Sequence, residues 1–341
     1  MKNSSDNYKD RLIWVDVLKA FGIVLMVMGH IGFGGTFGKW IHSFHMPLFF
    51  VISGFFFSSK LRFSDFVRKK AFSLLVPYFA FGIVDFVFFL LISLAKREPI
   101  SFKPLFHLFF LNQEEMGLSG ALWFLTALFL SECVFFFIKK SHNCVLEIFA
   151  TVMCLVFGFL IKSILPFRLP WGIDTALVGV AFLSLGDFLK KQKLLIDPSS
   201  DKIVVAIVVS LFTFVCASFL ALLNKEVNMR TGDYGLFSAF LLSSFAIITS
   251  LFFLFKYLSI LIPTIFNLHL IRTIGRDSIV FLCLNQPVIA AITLVQSFFS
   301  FPKFIDKTIC LLFTIAILLL LNMLIMKTDL CVLAGRKKAK N

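Results

Sequence analysis

The sequence predicts an all-α, polytopic membrane protein of about ten transmembrane helices, N-in and C-in, and three observations carry that expectation. Hydrophobic residues fill 59% of the 341 positions against 15% charged, and the mean hydropathy is +0.94, too apolar for a water-soluble fold. The apolar residues gather into windows of about 17 to 25 positions, the length that crosses a hydrocarbon core. The 33 Lys and Arg are split unevenly between the two sets of connecting segments, 22 on the side of the N-terminus and 10 opposite, with Lys19 alone inside a span. That asymmetry follows the positive-inside rule.

The elements follow in order. The first span, 13–33, is too long for a signal-peptide core and lacks a small-residue cleavage site, so it is expected to be retained. The second, 43–59, opens on FHMPLFF, with Pro47 expected near the helix start, where a missing amide proton is tolerated, and Gly54 available for close helix approach. A span at 71–95 follows the basic run RKK. The short piece 105–111 reads as re-entrant or interfacial and leads through a loop into 121–138. Spans at 145–163, 172–189, 203–223 and 236–257 come next, then an interfacial stretch with a basic end, 258–278, and spans at 278–298 and 307–326. Trp14, Trp40, Trp123 and Trp171 fall near span ends, where aromatic belts form. No repeat of fixed period and no matched pair of broken helices is visible, which weighs against an inverted-repeat transporter. Residues 1–341 read as one integral-membrane domain.

The formal charge of +14 sits in short clusters between apolar segments rather than on one face, so nucleic acid is not the expected partner. The seven Cys are scattered without a CxxC pair, and no His stands at metal-ligand spacing, so neither structural disulfides nor a metal is expected. Lipid-facing and helix-facing apolar surfaces look alike in one sequence, which leaves a homo-oligomer open.

Function is best sought where polar groups stand in apolar spans, because a charge at the centre of a spanning helix costs about 2.5–3.5 kcal/mol on insertion scales. Lys19 and His30 are eleven residues apart, so they share a face and lie roughly 16 Å apart along the axis. Asp16 is one turn before Lys19, close enough to neutralise it, and Arg11 lies just outside the span. An anionic cosubstrate coming from the cytoplasm would meet Arg11 and Lys19 first and His30 deeper, where an imidazole serves as a general base. His45 is placed to face His30 across the hairpin, whereas His42 is expected to meet water. Asp85 and Glu132, midway along their spans, suit either a proton relay or pairing with a neighbouring helix.

Asp16, the Lys19-x10-His30 pair, FHMPLFFVISGFFF (44–57), RKKAFSLLVPY (68–78), GALWFLTALF (120–129), PWGIDTALVGVAFLSLGDFL (170–189) and IGRDSIVFLCLNQP (274–287) together resemble the membrane-bound acyltransferase-3 superfamily, especially its fucose 4-O-acetylase-like branch. The resemblance runs in order through nearly the whole chain. It implies a ten-helix bundle in the bacterial cytoplasmic membrane that takes acetyl groups from acetyl-CoA, its cosubstrate, and places them on hydroxyls of a cell-surface or lipid-linked carbohydrate. On that reading His30, Asp16 and His45 are the catalytic candidates, and Arg11, Lys19, Arg68, Lys69 and Lys70 hold the nucleotide end of acetyl-CoA. Ser53, Trp123 and Asn285 are candidate donors to the thioester oxyanion, and Glu115 and Asp174, with Glu114 and the Arg230/Asp233 pair, are candidates for the sugar hydroxyls. Two departures stand out: Lys19 offers a point charge where the family often has Arg, and Asn285 stands where it commonly has His. A transporter or flippase, coupled through Asp85, Glu132 and Lys19, is the competing expectation.

Overall fold

The computed structural model describes residues 12–114, 116–118, 120–165, 167–196 and 203–338; Arg11 and Glu115 lie outside them. Ten helices of at least 18 residues form the bundle among the described residues, and no strand occurs there beyond the single bridge Asn228–Asp233.

Helix α1 (Ile13–Ile31) ends where Gly32 turns left-handed and the amides of Gly32 and Phe33 both reach back to the Met28 carbonyl. Helix α2 (Gly35–Phe55) then begins eight residues earlier than expected, so the hairpin turn is only residues 32–34. Pro47 therefore lies inside α2 rather than at its start. It has no amide proton for the carbonyl of Ser43 four residues back. The hydroxyl of Ser244, from a later helix, lies 2.6 Å from that carbonyl and 2.6 Å from the Phe240 carbonyl of its own helix, so one donor is shared between them.

Helices α3 (Phe63–Lys70) and α4 (Val76–Ala95) are joined by one π-helical turn, Ala71–Leu75, into a continuous helix that starts eight residues before the expected span. Short α5 (Lys103–Phe109) accepts hydrogen bonds from Tyr78 at Leu108 and from Trp171 at Phe109. Next come α6 (Trp123–Lys140) and α7 (Cys144–Ile164), the latter capped by the Asn143 side chain on the amides of Val145 and Leu146. Helices α8 (Ile173–Lys190), α9 (Lys193–Ile196), α10 (Ile203–Leu223) and α11 (Phe237–Leu261) follow. After α12 (Pro263–Phe266) and α13 (His269–Arg276), the chain ends on α14 (Ser278–Gln296) and α15 (Lys303–Lys327).

Eight of these segments are long and apolar enough to cross a membrane; α2 and α6 have the length but hold more polar side chains. The protein is an all-α, polytopic membrane protein. Its polarity runs opposite to that of a soluble bundle: α7 and α10 are very apolar yet almost wholly unburied, whereas α2 and α6 lie inside. Helices α2 and α8 cross backbone to backbone. A methyl group on Gly54 would fall 2.0 Å from the Leu183 carbonyl oxygen, and one on Gly186 would fall 2.0 Å from that of Val51. The backbones touch, and only glycine fits at either position.

Two of the four tryptophans correct the belt expectation. Trp14 is buried edge-on against Phe55 and Phe252, and Trp123 is buried in the bundle. Trp40 does lie at a margin, its indole nitrogen 3.0 Å from Ser218 Oγ on α10.

Candidate active site

Two cavities lie end to end inside the bundle and share four helices. The first, about 330 Å³, opens near the end of the bundle where α1 begins; Ile23, Phe49, Phe124 and Leu282 stand in its wall. The second, about 470 Å³, lies toward the opposite, distal end, and Met26, Met46, Trp123 and Gln286 stand in its wall. On each helix the paired residues are one to four positions apart, so at 1.5 Å per residue the septum between the cavities is no more than about one helical turn thick.

The first cavity is apolar except for Lys19, Ser53 and Ser278. The Lys19 ammonium stands 5.4 Å from the centre of the Phe56 ring. Ser53 Oγ donates to Glu132 Oε1 at 2.6 Å, and the same oxygen receives Lys70 Nζ at 2.5 Å. Glu132 is fully buried, so this ion pair, rather than a relay with Asp85, accounts for a carboxylate inside the bundle. Lys70 turns inward at the start of the π-helical turn, while Arg68 and Lys69 remain exposed beside it.

The distal cavity holds three imidazoles. His30 is exposed into it, and its Nδ1 lies 3.1 Å from Gln286 Nε2. Buried His45 places Nδ1 2.9 Å from the Ile41 carbonyl. A carbonyl only accepts, so Nδ1 carries the proton and Nε2 keeps its lone pair. His42 pairs with Glu226, Nδ1 to Oε1 at 3.1 Å. His42 is thus tied to a carboxylate rather than simply hydrated.

The distal rim is the segment between α10 and α11. Asn224 fastens its ends, donating to the Tyr234 carbonyl at 2.9 Å and accepting from the Leu236 amide at 2.7 Å. The Asn228–Asp233 bridge closes its middle, and Gly232 turns left-handed. Arg230 projects from this turn and donates to the Glu114 carbonyl. Asp233 lines the cavity and is paired with Lys162. Burial alone would raise its carboxyl pKa, but the Lys162 and Thr231 hydrogen bonds outweigh that and hold it below the ordinary 3.8.

Residues 12–326 match the family model described as an acyltransferase domain, acyltransferase 3, a match that takes in all ten long helices but the last residue of α15. The chain belongs to the acyltransferase-3 family. It is a multi-pass membrane acyltransferase. Among curated proteins and among solved structures, none matches it significantly.

The positions expected to serve an acyltransferase are only partly brought together. His30, His45 and Trp123 share the distal cavity, while Lys19 and Ser53 share the first. Lys19 and His30 do face one seam, as their spacing required. Asp16 is buried fourteen residues from His30, roughly 21 Å along the helix, and lines neither cavity. Asn285 is fully buried at the level of the septum, its Nδ2 engaged with the Leu282 carbonyl at 2.6 Å. Asp174 lines a separate outer cavity of about 680 Å³, where it accepts from Gln113 at 2.7 Å and faces Arg168 at 3.9 Å. Gln286, Glu226 and Asn228 are wall residues that sequence reasoning did not single out.

Proposed function

We propose that this acyltransferase moves an acetyl group from acetyl-CoA, arriving at the cytoplasmic, basic end, to a hydroxyl of a carbohydrate in the distal cavity. The observation that carries the reading is the pair of cavities end to end on α1, α2, α6 and α14, divided by a thin septum. An apolar cavity with one ammonium at its wall suits the pantetheine arm of a coenzyme A thioester, and a larger cavity of imidazole, amide, guanidinium and carboxylate groups suits a polyol. Exposed Arg68 and Lys69 face the side from which the nucleotide phosphates would come, with Lys19 deeper in the cavity wall; the charge of Lys70 is already compensated by Glu132. Arg11, beyond the described residues, belongs with them by sequence.

In the reaction His30 takes the proton of the acceptor hydroxyl as the oxygen attacks the thioester carbonyl. The C–S bond then breaks, and the proton passes from the imidazolium to the leaving thiolate, giving the acetyl ester and free coenzyme A. No metal takes part in this scheme. The fucose 4-O-acetylase-like branch is the nearest description of such an acceptor class.

The test is a reconstituted assay in sealed vesicles with labelled acetyl-CoA on one side and an acceptor glycan on the other. Label should reach the opposite compartment as an ester and should be lost in His30→Ala protein that folds normally. Full activity of that variant would overturn His30 as the base, and uptake of intact glycan without acetylation would favour a carrier instead.

A further inference from the structure

We infer that Gln286 is the positioning residue of His30, the side chain that fixes the ring and decides which of its nitrogens carries the proton. The inference rests on the reading of His30 as general base. Gln286 of α14 and His30 of α1 are 256 residues apart in sequence, and the contact between their side chains, 3.1 Å from Nε2 to Nδ1, joins the two helices inside the distal cavity. No other hydrogen-bond partner of the His30 ring occurs among the described residues.

Gln286 Oε1 is buried with no partner, a costly state for a carbonyl oxygen. The amide oxygen and nitrogen exchange places by a half-turn of the last side-chain torsion, with no change in the shape of the group. Turned so, Oε1 accepts from Nδ1–H, the amide nitrogen takes the oxygen's former place, and Nε2 of His30 keeps its lone pair for the acceptor hydroxyl. This contact also outlasts the proton transfer. The imidazolium is a donor at both nitrogens, so Oε1 goes on accepting from Nδ1 unchanged, whereas an amide N–H facing Nδ1 would have to break away.

A neutral amide has a second merit over a carboxylate in this place. It orients the ring without adding a negative charge that would hold the proton on the imidazolium and delay its return to the thiolate. Adjacent Asn285 does not share the task, because it is fully buried and lies outside the wall of the distal cavity. His42 and His45 are each held through Nδ1 by an acceptor, Glu226 and the Ile41 carbonyl. With Gln286 so turned, His30 and His45 carry the proton on the same ring nitrogen, Nδ1.

The test combines spectroscopy with kinetics on the full-length protein in nanodiscs labelled with ¹⁵N-histidine, the His30 signals being those absent from His30→Ala. In wild type His30 should be protonated at Nδ1 and bare at Nε2. Gln286→Leu should lose that single tautomer and lower kcat at least about 10-fold, within the range of a positioned acid–base group, at unchanged KM for acetyl-CoA. Gln286→Glu, which can only accept, should keep the tautomer and restore part of kcat. A wild-type ring bare at Nδ1, or Leu and Glu variants alike in both spectrum and kcat, would overturn the inference. Should His30→Ala stay active, the catalytic reading fails by itself, and the ring spectra alone then decide whether Gln286 sets the tautomer.

Discussion

The two cavities are built from the same four helices yet differ in chemistry. At the basic end the walls are apolar, with one lysine and two serines. At the distal end hydrogen-bonding groups converge from α1, α2, α14 and the 224–236 segment. The contrast teaches that the same helices can line an apolar chamber with one stretch and a hydrogen-bonding chamber with the next, the division that the proposed pair of unlike substrates would need.

That contrast can be broken at the frame that holds both walls. Gly186→Leu should have the largest effect, because its side chain meets the backbone of α2. The cost should exceed the 1–3 kcal/mol or so of ordinary overpacking, read as loss of monodisperse protein by size exclusion. Lys70→Ala comes next, leaving the Glu132 carboxylate buried and unpaired beside the first cavity. Removing one partner of a buried pair costs about 3–5 kcal/mol, and a thermal-shift assay should show most of it recovered in the Lys70→Ala, Glu132→Gln double variant.

Smaller changes sharpen the comparison. Leu128→Trp in the first cavity should raise KM for acetyl-CoA by about tenfold, equivalent to about 1.4 kcal/mol, and leave acceptor affinity alone. Asn228→Leu in the distal wall should do the reverse, and equal effects of both substitutions on both substrates would show that the cavities are not separate. The smallest effect concerns pH. Asp233 is held below its ordinary pKa in the folded protein, so its contribution to closing the 228–233 turn is fully present above about pH 4 and is lost as pH falls through the depressed folded value. Hydrogen exchange of the Thr231–Tyr234 amides should therefore quicken, relative to chemical exchange, only in strong acid; Asp233→Asn should show the quickening at neutral pH.

Most of the fold was legible because a spanning helix announces itself by length and apolarity, and the 203–223 span agrees with α10 residue for residue. Helix α2 was misplaced for a physical reason. Its first turns, GTFGKWIH, are rich in glycine and polar side chains and read as a loop, but they are helical in a bundle whose interior accepts those groups. Lys19, His30 and His45 were found because each is expensive in an apolar span. Gln286 and Glu226 gave no such signal: an amide in a helix is cheap, and a carboxylate in a polar segment looks solvated until the fold brings it to His42. Asp16 drew attention by its charge, but it stands at the wrong height.

The glycine crossing of α2 and α8 carries one more consequence. Since α2 supplies side chains to both chambers and cannot slide or tilt against α8 without driving one main chain into another, that pair serves as a stationary rail. On the proposed function, the spacing between the two substrates along that rail would stay constant, and any change of access would fall to the other helices lining the chambers.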